Sequence, residues 1–290
     1  MTSLPERAGR RCHHALNSLH ATLYFSPAMG KELAPYGIED PHAANLAVRA
    51  APLGAASAGT VTATFYNYSH SLVARFVPEV WESASPATVL AARLRAVDST
   101  LRRLLGEEAV ASGEMAEAAG LALRAAEGGA RAGRPLFAAN ADLPVPPVAQ
   151  APHLALWHAC TLLREHRGDG HIVALQHAEL DPLEALVSHT ASGRGVRPTW
   201  AMGTRGYNAQ DWAAAQGRLA ERGLLGGDGE LTERGTELRK HLEDDTDRLD
   251  RAPYAFLGAE GVARLTELAG GFAQTAFEAG AYPADLFGKD

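Results

Sequence analysis

Apolar and polar positions alternate most legibly in the last third of the chain. There NAQDWAAAQGRLAERGLL brings Trp212, Ala215, Leu219 and Leu224 back at helical spacings. Asn208 stands where an N-cap is needed, and Gly223 where the helix should close. Next, LLGGDGELT sets short apolar segments on either side of Gly-Asp-Gly, the pattern of a tight hairpin. Thr232 then opens a long helix, TERGTELRKHLEDDTDRLDRAP, which Pro253 is expected to stop. Helix, small hairpin and helix together predict a winged helix. Upstream, the apolar run HLALWHACTLL predicts a core helix from about His153 to Arg167. Gly168 is expected to end it and Asp169 to cap the next, while Asp181 caps a third with Pro182 at its first position.

Slid against each other by about 140 residues, the two halves repeat these segments in the same order. HALNSLHATLYF from His14 falls near HLALWHACTLL from His153, which brings His20 close to His158. Asp40-Pro41 answers Asp181-Pro182, and Tyr66-Asn67 answers Tyr207-Asn208. SPATVLAARLRAVDSTLRRLLG runs beside LTERGTELRKHLEDDTDRLDRAPYAFLG, and AEAAGLALRAAEGGARAGRPLF beside TELAGGFAQTAFEAGAYPADLF. Ala-rich helices align easily, but five segments in one order argue for tandem duplication. The expected division is a degenerate winged-helix-like repeat at 1–140, a Pro-rich linker at 141–152, and a second winged-helix repeat at 153–290. The expected fold is mainly α: two tandem winged-helix-like repeats forming an intramolecular pseudo-dimer.

The segment RGYNAQDWAAAQGRLAERGLLGGDGELTERGTELR resembles the recognition helix, wing and following helix of MarR-type winged-helix regulators. Taken with LWHACTLLREHRGDGHIVAL and TATFYNY, it resembles an actinobacterial helix-turn-helix family of unassigned function, along most of the chain. MarR-type regulators are homodimers whose terminal helices pack together, with ligands held between the dimer interface and the winged helices. The resemblance therefore implies a dimer fused into one chain, with a pseudo-two-fold axis where a true one would lie.

Composition changes this picture in two ways. The 290 residues carry a formal charge of −7, so a nucleic-acid-binding face would have to be built against the mean field. Lysine occurs only at Lys31, Lys240 and Lys289, so the positive charge is nearly all arginine, whose forked donors suit anions. Cys12 and Cys160 alone make no disulfide framework, no apolar run is long enough for a membrane span, and no secretion signal is evident. A cytoplasmic protein is expected. As a DNA reader the chain is poorly equipped. The second repeat offers Asn208, Gln210, Gln216, Arg218 and Arg222, countered by Asp211 and Glu221, with an acidic wing. The first offers only Arg75 within SHSLVARFVPEVW.

LLREHRGDGH crowds Arg164, Glu165, His166, Arg167, Asp169 and His171 between two apolar flanks. It reads either as a solvated helix end or as the floor of a pocket. On the pocket reading, His158, Glu165, His166, Asp169 and His171 are the candidate acid–base groups, with carboxylates fixing histidine tautomers. Arg164 and Arg167 are candidate anion clamps, and His20, Tyr24, Tyr66 and Asn67 are candidate ligand contacts from the first repeat. No nucleophile motif, phosphate loop or metal spacing occurs, so no metal is expected. No cofactor is named either, although a haem on one histidine stays open. The expected function is small-molecule binding in a cleft between the repeats, reaching to an enzyme of specialised metabolism. The expected partner is an anionic or polar small molecule. The alternative is a MarR-like, ligand-responsive regulator that binds DNA. The assembly is expected to be a monomeric pseudo-dimer or a homodimer.

Overall fold

A computed structural model of the chain describes residues 4–286. The outermost residues of the expected repeats, 1–3 and 287–290, lie outside it. Among the described residues the chain is helical: α1 (Ala8–His20), α2 (Pro27–Leu33), α3 (Pro41–Ala50), α4 (Ala58–Phe65), α5 (His70–Phe76), α6 (Val80–Ser83), α7 (Pro86–Val110) and α8 (Gly113–Glu127). Then follow α9 (Pro135–Ala141), α10 (Pro152–His177), α11 (Pro182–Ala191), α12 (Pro198–Arg205), α13 (Ala209–Glu221), α14 (Glu233–Leu249), α15 (Arg251–Leu257) and α16 (Ala259–Glu278). Local chemistry explains most of the starts. Asp40 and Asp181 each accept two backbone N–H groups with proline next in line, and Asn208 forms a capping box with Asp211.

Three expectations are corrected. First, α10 runs through Gly168 and Asp169 without a break. Gly168 is not in a left-handed conformation, and Asp169 caps a different helix, accepting from the Leu136 and Phe137 N–H groups at the start of α9. Second, α14 ends at Leu249, four residues before Pro253. A helical proline has no N–H and clashes with the carbonyl four residues back; the Leu249 carbonyl instead accepts from Arg134 Nη2 at 2.6 Å. Third, the expected wing strands shrink to a single Leu225–Leu231 bridge, because only three residues lie between Gly226, whose N–H donates, and its acceptor Glu230.

The chain divides into two compact units. Unit 1 holds Met1–Ala55, Glu79–Gly170 and Asp247–Tyr282, and unit 2 holds Ala56–Pro78, His171–Thr246 and Pro283–Asp290. Each draws on residues from both sides of the Pro-rich stretch. In unit 1, α1 lies along α16, α8 packs on α15 and α16, and α7 packs on α2 and α3. The buried face of α8 is Met115 followed by Ala118, Ala119, Ala122, Ala125 and Ala126, and methyl-sized side chains let the helices approach closely. Gly106 interrupts α7 at φ 83°, ψ 161°, and Gly258 separates α15 from α16 at φ 84°, ψ 164°. Arg134 reaches the backbone of α10, donating to the His166 carbonyl. Gly170 makes room for that approach: a Cβ there would stand 2.9 Å from Arg134 Nη1 and 3.3 Å from Leu249 Cβ.

In unit 2, α11 packs on α12 and α13, with Leu183, Val187, Trp212, Ala215, Leu219 and Leu242 buried. The short link Gly206–Asn208 joins α12 to α13, and the Ser69 N–H at the head of α5 donates to the Arg205 carbonyl at 2.8 Å.

Candidate ligand-binding site

One side of α10 in unit 1 presents Trp157, His158, Thr161, Arg164 and Glu165, separated by steps of one, three, three and one residues that keep them on neighbouring faces. Facing them are His20 at the end of α1, Tyr24 in the 3-10 turn Ala21–Phe25, Arg49 on α3 and Arg93 on α7. The His20 and Trp157 rings stack at 4.6 Å, and the Trp157 indole donates to the His20 carbonyl at 3.2 Å. Arg93 lies 5.3 Å from the Trp157 ring centroid, Arg164 5.7 Å from that of Tyr24 and Arg49 5.9 Å from the same ring.

The hydrogen bonds fix a tautomer. Thr161 gives its one proton to the Trp157 carbonyl at 3.0 Å. His20 Nε2, 3.0 Å from that hydroxyl, must therefore donate, which leaves Nδ1 as a bare acceptor. That Nδ1 is buried without a partner among the described residues, as are Nε of Arg93 and Nε2 of His158. Burial, reinforced by Arg164, Arg93 and Arg49, holds the His20 imidazole well below its ordinary range. His158 is pushed down to about 4 by burial and by Arg93, so both rings are neutral at neutral pH. Burial lowers Arg93 to about 10 although Tyr24 and Glu165 oppose it. Arg93 Nη1 donates to the Val48 carbonyl at 3.1 Å, and Arg93 has no ion pair among the described residues. Arg164 donates to Asn17 at 3.2 Å and to Glu165.

The remaining candidates lie elsewhere. His166, Arg167 and Asp169 turn to a second cluster in unit 1. There His166 Nδ1 is 2.7 Å from Asp250, Arg167 donates to Asp247 at 2.8 Å, and Arg10 donates to the same carboxylate at 2.8 Å. Arg10 and Arg167 both pair with Asp247, Arg167 also lies 3.7 Å from Asp250, and Arg134 feels the charges of Asp250 and Asp169. Burial raises Asp169 to about 6, opposed by its bond from the Phe137 N–H. His171, Tyr66 and Asn67 belong to unit 2. His171 Nδ1 donates to Thr246 at 2.8 Å, and the Tyr66 hydroxyl donates to the Leu180 carbonyl at 2.5 Å. The Asn67 N–H donates to the Phe65 carbonyl.

The structure thus gathers His20, Tyr24, His158, Arg164 and Glu165, and adds Arg49, Arg93, Trp157 and Thr161, which were not among the candidates. Arg93 left a trace in the sequence as a cation between Val89 and Val97 at four-residue steps.

In unit 2 Arg218 on α13 and Arg222 at its C-terminal end are engaged at home. Arg218 donates to Asp181 at 2.6 Å and to Glu184 at 3.1 Å. Arg222 donates to Glu184 at 3.0 Å and to the Glu179 and Ala178 carbonyls. The exposed residues of α13 are mostly small, with Gln210, Arg218 and Glu221 the polar or charged ones among them. Among the described residues no group of three or more His, Cys, Asp or Glu side chains could hold a metal ion, and no helix is long and apolar enough to cross a membrane.

Residues 9–283 match the model of a family described as a helix-turn-helix family. No curated protein and no solved structure matches the chain.

Proposed function

The chain belongs to a helix-turn-helix family, and from that premise we propose that it binds a small polar molecule at the Trp157 cluster of unit 1. One observation carries the reading: His20 and Arg93 both lie against the Trp157 ring, His158 follows it in α10 and feels the Arg93 charge, and each of the three holds a buried nitrogen without a partner among the described residues. Each such buried group costs about 1–3 kcal/mol, so three in this part of unit 1 are costly unless a molecule meets them. If that molecule reacts, neutral His158 and the Glu165 carboxylate are the groups to move a proton. Native mass spectrometry of gently purified protein tests the binding. The wild type is expected to carry an adduct that the His20→Phe, His158→Phe double variant lacks. A wild type seen only at its apo mass, whatever metabolite panel is added, would end the reading.

A second reading, the ligand-responsive DNA-binding regulator, is favoured by the family itself. Against it stand the engaged Arg218 and Arg222 and the net charge of −7. Retention on heparin at low salt that falls in Arg218→Ala would favour it; passage straight through would remove it.

The finer architecture, a MarR-like tandem duplication folded as a pseudo-dimer, is part of the same proposal. Two pairings support it. Gly106 and Gly258, which end the aligned segments, share one unusual backbone conformation. Asp40-Pro41 and Asp181-Pro182 start α3 and α11 with the same cap.

A further inference from the structure

Resting on the binding reading above, we propose that Arg93 is the anchor for an oxyanion, so that the molecule taken up at the Trp157 cluster carries a carboxylate or phosphate group. The two arginines that the sequence nominated as clamps are engaged. Arg164 serves Asn17 and Glu165, and Arg167 serves Asp247 with Asp250 close by. Arg93 is 6% exposed, and its hydrogen-bonding is met by the Val48 carbonyl alone, leaving Nε bare. Glu165, the carboxylate whose charge it feels, is already bound to Arg164. The same unit shows how this chain buries guanidinium groups for structure: Arg167 reaches two aspartates and Arg134 two backbone carbonyls. Arg93 departs from that pattern. A buried cation without a counter-charge burdens the empty fold, and an oxyanion at Nε supplies the missing charge in a bonded geometry that guanidinium suits. Neighbouring His20 Nδ1, a bare acceptor, suits a hydroxyl or amine on the same molecule.

A group kept for binding and a group kept for folding respond oppositely to removal. The test is the melting temperature of wild type, Arg93→Met and Arg93→Lys, alone and titrated with butyrate, inorganic phosphate or butyramide at constant ionic strength. Arg93→Met without additive is expected to melt at or above the wild-type temperature. Butyrate or phosphate should raise the wild-type value to a plateau, with a smaller rise in Arg93→Lys and none in Arg93→Met. A response to butyrate alone assigns a carboxylate, and one to phosphate alone a phosphate. If Arg93→Met melts well below wild type, or responds to the anions as wild type does, the inference is overturned. Equal shifts with butyramide in all three proteins would overturn it while leaving the binding reading standing. A wild type that none of the three compounds moves overturns the inference too, and the adduct measurement then decides the binding reading by itself.

Discussion

Val89, Arg93 and Val97 are buried at four-residue steps on one face of α7. A cation in an apolar stripe is legible in a sequence, and it points more sharply than a dense charge run does. The run from Arg164 to His171 illustrates why. Successive helical residues turn by about 100°, so Glu165 meets Arg164 while His166 and Arg167 meet Asp250 and Asp247. Proximity along the chain does not determine shared partners; these partners are up to 84 residues away. The neutral histidines set a pH response. His158 has a folded value of about 4 against an ordinary 6.5, so its contribution to stability is full above 6.5 and lost as pH falls toward 4. Asp169, raised to about 6, has the opposite sign, its contribution being lost as pH rises through 6. Urea unfolding at pH 7.5 and 5 should show His158→Phe losing less stability on acidification than wild type, by about 1–3 kcal/mol. Equal losses in the two proteins would contradict the assignment.

Among elements, what the sequence announced was local. Asn208 and Asp181 cap their helices because a side-chain oxygen needs to reach only two or three residues ahead. Two of its three misstatements, at Gly168 and Pro253, involve distant partners. Gly168 looks like a helix stop, but α10 runs through it, and it is Gly170, two residues on, that leaves the thin backbone its neighbours pack against. Arg134, the residue just before α9, occupies the space that a side chain at Gly170 would fill. Gly170→Ala is therefore expected to destabilise unit 1 by about 1–3 kcal/mol, although alanine favours helices intrinsically. Thermal melts of the single variant, and of Gly170→Ala combined with Arg134→Ala, would check this. A Gly170→Ala protein that melts higher would contradict the packing argument. Likewise, Pro253 acts four residues upstream of itself, through the carbonyl that it leaves without an N–H.

For the whole molecule, helical class and a helix-turn-helix were legible because apolar periodicity and caps are written locally. The contact units were not, since each is assembled from separated stretches of chain, with Ala56–Pro78 grouped with residues far beyond it. Only long-range packing decides that grouping. The pseudo-dimer reading adds a prediction at this scale. Light scattering should find a single chain of 30.6 kDa, because the duplicated partner is already supplied internally; a mass twice as large would count against it. The uninterrupted α10 has one more consequence. His158 and His166 ride on one rod about 12 Å apart along its axis, so a push at the first is carried as a shift of the shaft to the second. An occupant lodged beside Thr161 should then leave its mark on the amides of Leu136 and Phe137, slowing their exchange with deuterium at a place it never touches.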